Sequence, residues 1–284
     1  MRLASFAISN RASWGVVEGE ALADVGAVLK SSFADLRAAI AGQAYGEIRE
    51  ALSSAERFST AAVTWLPVIP NPDKILCIGL NYEEHRQETG RPKMEYPTVF
   101  VRLAGSQNGH LQDVPRPLVS TELDYEGELA VIIGKGGRYI TRRDALAHIA
   151  GYACYNDISV RDWQRHTQQF TPGKNFPGTG PFGPWMVTVD ELPDIAPLRL
   201  QTRVNGTVVQ SATFSQMIFD VPRLIEYCST FTRLEPGDVI VTGTPGGVGS
   251  RRQPPLWLKP GDVTEVEIER VGLLRNRIVA EAES

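Results

Sequence analysis

Cysteine, histidine and long apolar runs are all scarce in this chain of 284 residues. Its three cysteines, Cys77, Cys154 and Cys228, are odd in number, far apart and form no C-x-x-C pair, so no disulfide framework is expected. They read as reduced, mostly buried thiols of a cytoplasmic protein. No stretch approaches the ~18 apolar residues that a membrane span needs. The opening MRLASFAISNRASW is broken by polar residues too early for a signal-peptide core. An excess of positive charge is also missing: 29 Lys and Arg against 33 Asp and Glu leave a net charge of −4. That balance argues against nucleic acid or an anionic membrane as the main partner. No solenoid-period repeat or low-complexity segment is visible. What is plentiful is glycine (26) and proline (19), together above the average usage of about 12%. So many turns favour a β-rich fold over a helical bundle.

Residues 1–70 read as a small α/β unit. Short strands (Leu3 to Ile8, Gly15 to Val17) precede an amphipathic helical stretch from Ser32 to Phe58, with Phe33, Leu36 and Ile40, then Tyr45, Ile48 and Leu52, at helical spacing. Pro67, Pro70 and Pro72 make a stiff connector to a larger domain over 71–284. There strand signals dominate: Ile75 to Ile78, Thr98 to Val101, Leu129 to Ile133, Trp185 to Val189, Leu198 to Val204, Val239 to Thr242, Val263 to Ile268 and Leu274 to Ala280. Two L-x-P-G-D turns, Leu234 to Asp238 and Leu258 to Asp262, predict adjacent, meander-like strands. Thr141 to Asp144 resembles a capping box ahead of a helix over 145–149, and Asp220 is placed to cap a helix with Pro222 in its first turn.

The strongest chemical signal is Leu123-Asp-Tyr-Glu-Gly-Glu-Leu-Ala-Val-Ile-Ile-Gly134. In an extended chain Glu126 and Glu128 point to one face, roughly 6.6 Å apart along the strand. The apolar residues that follow carry at least Glu128 inward. Like charges that close do not both stay ionised in a low dielectric unless a cation lies between them. Hard oxygen donors suit Mg²⁺, Mn²⁺ or Ca²⁺ rather than zinc. Two carboxylates make a poor cage. Asp157, a carboxylate interrupting another apolar run (Gly151 to Asp162), is the best third ligand; the competing reading is an edge strand whose acids face water.

Among the four histidines, His148 falls in an amphipathic segment and reads as structural, whereas His85 follows a buried strand in a very polar segment. Glu88 lies three residues on, sharing its face on one helical turn. A carboxylate beside an imidazole raises its basicity and fixes its tautomer, as a general base requires; a solvated surface helix is the bland alternative. His110 and His166 sit in polar stretches that could line a site. Thr171 to Trp185 is glycine-rich and presents Lys174, suited to an anionic ligand. Its Gly178-x-Gly180-x-x-Gly183 is not a dinucleotide fingerprint, because Pro181 and Pro184 deny it a following helix. A second glycine-rich loop, Thr242-Gly-Thr-Pro-Gly-Gly-Val-Gly249, follows a buried strand.

Taken in order, these motifs resemble the fumarylacetoacetate hydrolase family over roughly residues 73–280. They run from Ile78-Gly-x-Asn-Tyr-x-x-His85-x-x-Glu88 through Asp124-Tyr-Glu-Gly-Glu-Leu129 and Asn156-Asp157-x-Ser-x-Arg161-Asp-x-Gln164. Gly173-Lys174, Asn205-Gly and Thr242-Gly-Thr-Pro-x-Gly-Val248 complete the set. The resemblance implies an α+β, β-rich fold, a rolled mixed β-sandwich with few short helices, forming a homodimer. It implies Mg²⁺ or Mn²⁺ held by Glu126, Glu128 and Asp157, His85 with Glu88 activating water from a lid, and Lys174 steadying an enolate. Arg161, Gln164 and Thr244 are implied substrate contacts. Where many relatives carry lysine in Phe-x-Lys-Pro, this chain has Phe100-Val-Arg102-Leu, so Arg102 is expected to alter recognition of the substrate's end. The implied reaction is metal-dependent hydrolysis of a carbon–carbon bond in a 2,4-dioxo acid (acylpyruvate or fumarylpyruvate type), as in aromatic catabolism. The same site also serves an oxaloacetate decarboxylase, a 2-hydroxy-dienoate isomerase or hydratase, or a metal-binding module without catalysis.

Overall fold

In the computed structural model, which describes residues 1–282, the run Gly127–Ile133 is a strand with every residue buried. Alternation sends Leu129, Val131 and Ile133 into one apolar core and Ala130 and Ile132 into another. Both faces are covered, which is why the run reads as continuously apolar. It lies inside a twelve-stranded mixed sheet. The strand path is Arg57–Ser59, Ala21–Ala23, Arg11–Glu18, Arg2–Ile8, Gly180–Thr188, Ile149–Asn156, Gly127–Ile133, Val239–Val241, Ile75–Gly79 and Thr98–Arg102. Thr64–Trp65 and Gln107–Asn108 pair off this path.

A five-stranded sheet, ordered Thr207–Thr213, Arg199–Val204, Val263–Ile268, Gly272–Ala280 and Val114–Arg116, packs over one face through Leu200, Val266 and Leu274. The helix Val221–Phe231 completes that core with Leu224 and Ile225, each contributing about 1.5–3 kcal/mol by burial. Asp220 accepts from the Arg223 N–H and Pro222 sits in the first turn, as the sequence implies. This is the expected β-rich α+β architecture with few, short helices. No helix among the described residues is long and apolar enough to cross a membrane. All three cysteines are buried and free; burial pushes Cys154 and Cys228 up to about 12.

Four local expectations are corrected. The stretch Ser32 to Phe58 is two helices, Leu36–Ala41 and Tyr45–Ala51, because Gly42 caps the first and Gln43 turns left-handed at φ 54°. Phe58 belongs to a strand. Thr141 donates to Asp144 rather than to backbone, and a 3₁₀ turn, Ala145–His148, follows in place of an α-helix. The two L-x-P-G-D turns are locally alike: Asp238 accepts from Glu235 N–H and Asp262 from Lys259 N–H. Their strands nevertheless enter different sheets, so no meander joins them. Finally, the glycine-rich segment becomes strand from Gly180 onward.

The 1–70 segment shares its core with the rest of the chain. Arg2–Ile8 pairs antiparallel with Gly180–Thr188, and Leu3, Trp14, Ile40 and Ile48 pack with Ala130, Ile132 and Met186.

Candidate active site

Strand register assembles the acids. Gly127 pairs with Asn156 across an antiparallel ladder, and the Asp157 N–H continues it by donating to the Glu126 carbonyl at 2.8 Å. Glu126 and Asp157 therefore face each other although 31 positions separate them in the chain, while Glu128 follows two residues on. One carboxylate oxygen from each of Glu126, Glu128 and Asp157 lies within 4.8 Å of the others, and all three residues are buried. Gly127 between the glutamates is required by close packing: a Cβ there would stand 2.0 Å from Thr202 Oγ1 on the second sheet.

Three cations surround the acids. Lys174 Nζ donates to Glu126 Oε2 (2.5 Å) and Asp157 Oδ2 (2.6 Å). Arg161 spans Asp124 (2.8 Å) and Glu126 (2.7 Å), and donates to Gln164 at 2.9 Å. Arg102 grips Asp157 and also donates to the Ile158 carbonyl. Burial alone would raise Glu126, but Arg161 and Lys174 outweigh it and hold its carboxyl below the usual range. Glu128 goes the other way: burial, then Asp157 and Glu126, push its carboxyl well above the ordinary value.

The donor set therefore fits a divalent ion. Four buried carboxylates (Asp124, Glu126, Glu128, Asp157) meet three buried cations (Arg102, Arg161, Lys174), and among the described residues Glu128 is the one without a cationic partner, so an added cation would favour its ionised form. Hard oxygens at this spacing are the ligands Mg²⁺ and Mn²⁺ prefer.

The loop Thr242 to Gly249 fastens this arrangement with main-chain donors. Gly243 N–H meets Glu128, Gly247 N–H meets Glu88 (2.8 Å), and Gly249 and Ser250 N–H meet Asp124 (2.7 and 3.0 Å). Gly243 has φ +98°, open to glycine at no steric cost. Thr244 donates to the Gly127 carbonyl and accepts from Gln210. His85 is 7% exposed on the helix Glu83–Thr89, its Nδ1 3.5 Å from Glu88 Oε2. A cavity of 640 Å³ is lined by Glu126, Glu128, His85, Lys174, Arg161, Gln164 and Thr244 among others.

Arg102 is corrected. Its side chain is fully buried, committed to Asp157, Ile158 and Thr179, and does not line the cavity; it orients an acid instead of meeting a substrate. Lys174 likewise already answers two protein carboxylates rather than standing free for an anion. His110 accepts from Arg275 N–H and packs on Trp65, with burial lowering it to about 4, so it is a neutral structural residue away from the cavity. His166 stacks near Trp163, outside the lining. His148 is structural, its Nδ1 2.7 Å from the Lys135 carbonyl.

Three further residues hold the site together. Asp124 anchors Arg161 and the glycine loop, and its place two residues before Glu126 was the available signal. Asn81 bonds Thr242 and Phe219, fixing the start of the His85 helix; Gln210 bridges Gly127 and Thr244. Neither carries a local signal of that role.

Residues 74–279 match the family described as fumarylacetoacetate (FAA) hydrolase C-terminal. The chain is 45% identical over 219 residues to the human protein named oxaloacetate tautomerase FAHD2A, mitochondrial, covering 76% of this chain and 70% of that one. A solved fumarylacetoacetate hydrolase from Exiguobacterium antarcticum superposes with a TM-score of 0.88 at 36% identity, over 99% of this chain and 100% of that one. Maleylpyruvate hydrolase from Sphingobium sp. SYK-6, solved in complex with manganese(II) ion and pyruvate, gives 0.84 at 30% identity with the same coverage. With the buried acidic site and the two-sheet architecture, these likenesses make the chain an enzyme of the fumarylacetoacetate hydrolase family.

Proposed function

We propose that this enzyme depends on a divalent metal and enolises a 2-oxo acid with a second carbonyl at C4, oxaloacetate keto–enol interconversion being the leading reaction. The observation that carries this is one cavity lined by Glu126 and Glu128 of the acid cluster and by His85, whose ring lies beside Glu88. A proton acceptor thus faces the place where negative charge develops. When bound by Glu126, Glu128 and Asp157, a divalent ion would supply Lewis acidity toward the 2-oxo acid end.

His85 removes a proton from C3, and the C–H electron pair becomes the enolate double bond. Glu88 holds the resulting imidazolium by charge and tautomer. Lys174 adds fixed positive charge beside the developing oxyanion. His85 then returns the proton to oxygen, giving the enol; the reverse sequence gives the ketone. The 45% identity to an oxaloacetate tautomerase supports this exit.

A second exit is hydrolytic. His85 takes a proton from water, which attacks C4 of a 2,4-dioxo acid; the C3–C4 bond breaks and its electrons form the pyruvate enolate. The cavity, at 640 Å³, has room for longer acids, and the likeness to a maleylpyruvate hydrolase supports this route. The test is an assay of oxaloacetate and a series of acylpyruvates with Mg²⁺, with Mn²⁺ and with EDTA, reading enol absorbance and pyruvate release separately. Metal-dependent enol–ketone exchange on oxaloacetate is expected. Pyruvate from acylpyruvates alone would select hydrolysis, and no turnover of any of them would end the proposal.

A further inference from the structure

The cavity that contains Glu126, Glu128 and Lys174 is also lined by apolar Phe100, Phe170 and Val248 and by the exposed Arg91, Arg165 and Arg251. The inner cations are already engaged: Arg161 and Lys174 donate to protein carboxylates. Arg165 pairs with Glu122. Among the described residues, the guanidinium groups of Arg91 and Arg251 form neither an ion pair nor a hydrogen bond, and both residues are exposed.

Arg251 is nevertheless held by its backbone. Ser250 N–H is fixed on Asp124, Arg251 N–H donates to the Val248 carbonyl, and Arg252 donates to the carbonyls of Gly247 and Val209. Arg252 is thus spent on structure while Arg251 is left with nothing to bind, on a segment anchored to the acid cluster itself. Arg91 comes from a different segment. It follows the helix that bears His85, and its carbonyl accepts from Arg86 within that helix.

We infer that Arg251 and Arg91 are specificity-determining residues that receive the terminal carboxylate of an elongate 2-oxo dicarboxylate. The oxo-acid head lies at the acid cluster, the carbon chain passes Phe100, Phe170 and Val248, and the far carboxylate meets the two guanidinium groups. Planar, doubly donating guanidinium is the group suited to a carboxylate. This deepens the proposed function and rests on its placement of the oxo-acid head.

The test is a matched pair of acids of equal length, 2-oxoadipate and 2-oxohexanoate, which differ only in ending on a carboxylate or a methyl group. Their binding to the full-length protein in Mg²⁺ is measured by calorimetry, independently of turnover. The wild type is expected to prefer 2-oxoadipate by about tenfold or more, as for a charge-assisted hydrogen-bonded pair. Arg251→Gln is expected to remove most of that preference and Arg91→Gln part of it, while 2-oxohexanoate affinity stays unchanged. Equal binding of the two acids by the wild type, or an unaltered preference in the double variant, would overturn the inference. If neither acid binds in Mg²⁺, the head-group placement itself is wrong and both readings fall. If both bind and no 2-oxo acid is turned over, only the reaction falls, and the preference still decides the arginines.

Discussion

At the scale of single residues, the acids and the base separate by what each loses on removal. Glu128→Gln and Asp157→Asn are expected to abolish Mg²⁺ binding in calorimetry and activity together, since each takes an oxygen from the cluster. His85→Asn is expected to keep the ion and lose 10²–10⁴-fold in turnover, the span typical of a general base. Unchanged turnover in that variant would remove His85 from the chemistry. Glu88 yields a pH prediction. Burial would raise its carboxyl, but the hydrogen bonds from His85 and Gly247 outweigh that and hold it below the usual range. A lowered folded-state value stabilises the protein above about pH 4.3, the unfolded carboxyl value, and fades as pH falls through the folded one. The stability gap between the wild type and Glu88→Gln, followed by urea unfolding, should therefore narrow on acidification from about pH 4.3 toward about pH 2. A gap constant across that range would contradict the assignment.

Among elements, the strand Gly127–Ile133 couples the site to both sheets. Gly127→Ala drives a methyl into Thr202 on the neighbouring sheet, and overpacking of this kind costs about 1–3 kcal/mol. Thr202→Ala opens that space, so the double variant is expected to recover much of the loss in a denaturation cycle; purely additive effects would mean that another contact is responsible. This is also the scale at which the sequence is most and least readable. The E-x-E pattern, the apolar run after it and Asp220-x-Pro222 carry local periodic or capping signals, and the structure forms those elements. Arg102 meets Asp157 only because the fold brings together residues 55 positions apart, at the ends of strands that are not neighbours in the sheet, and no local pattern encodes that. The identical L-x-P-G-D turns show the same limit. A turn sets the direction of the chain for four residues, while the sheet that follows is chosen by distant apolar partners.

Across the whole molecule, composition was sufficient for a β-rich class but not for how the N-terminal segment sits. Prolines at 67, 70 and 72 suggest a stiff connector at a boundary near residue 70; the strand Arg2–Ile8 pairs with Gly180–Thr188, and Leu3 and Trp14 lie in one core with residues beyond it. Deleting residues 1–70 would bare a long strand edge and that apolar surface. The truncated chain is expected to aggregate or unfold, and the intact protein to melt in one calorimetric transition. Two resolved transitions, or a folded 71–284 fragment, would instead make 1–70 and 71–284 separate units.

The acids of the floor are held by amide hydrogens of the 242–250 loop, a support that needs its glycines in place but asks nothing of the side chain at Arg251. The exposed side chain of Arg251 can therefore drift while those amides stay where they are. A lineage built on this scaffold gains a route to new substrates: exchange what the mouth presents, inherit the reactive end intact.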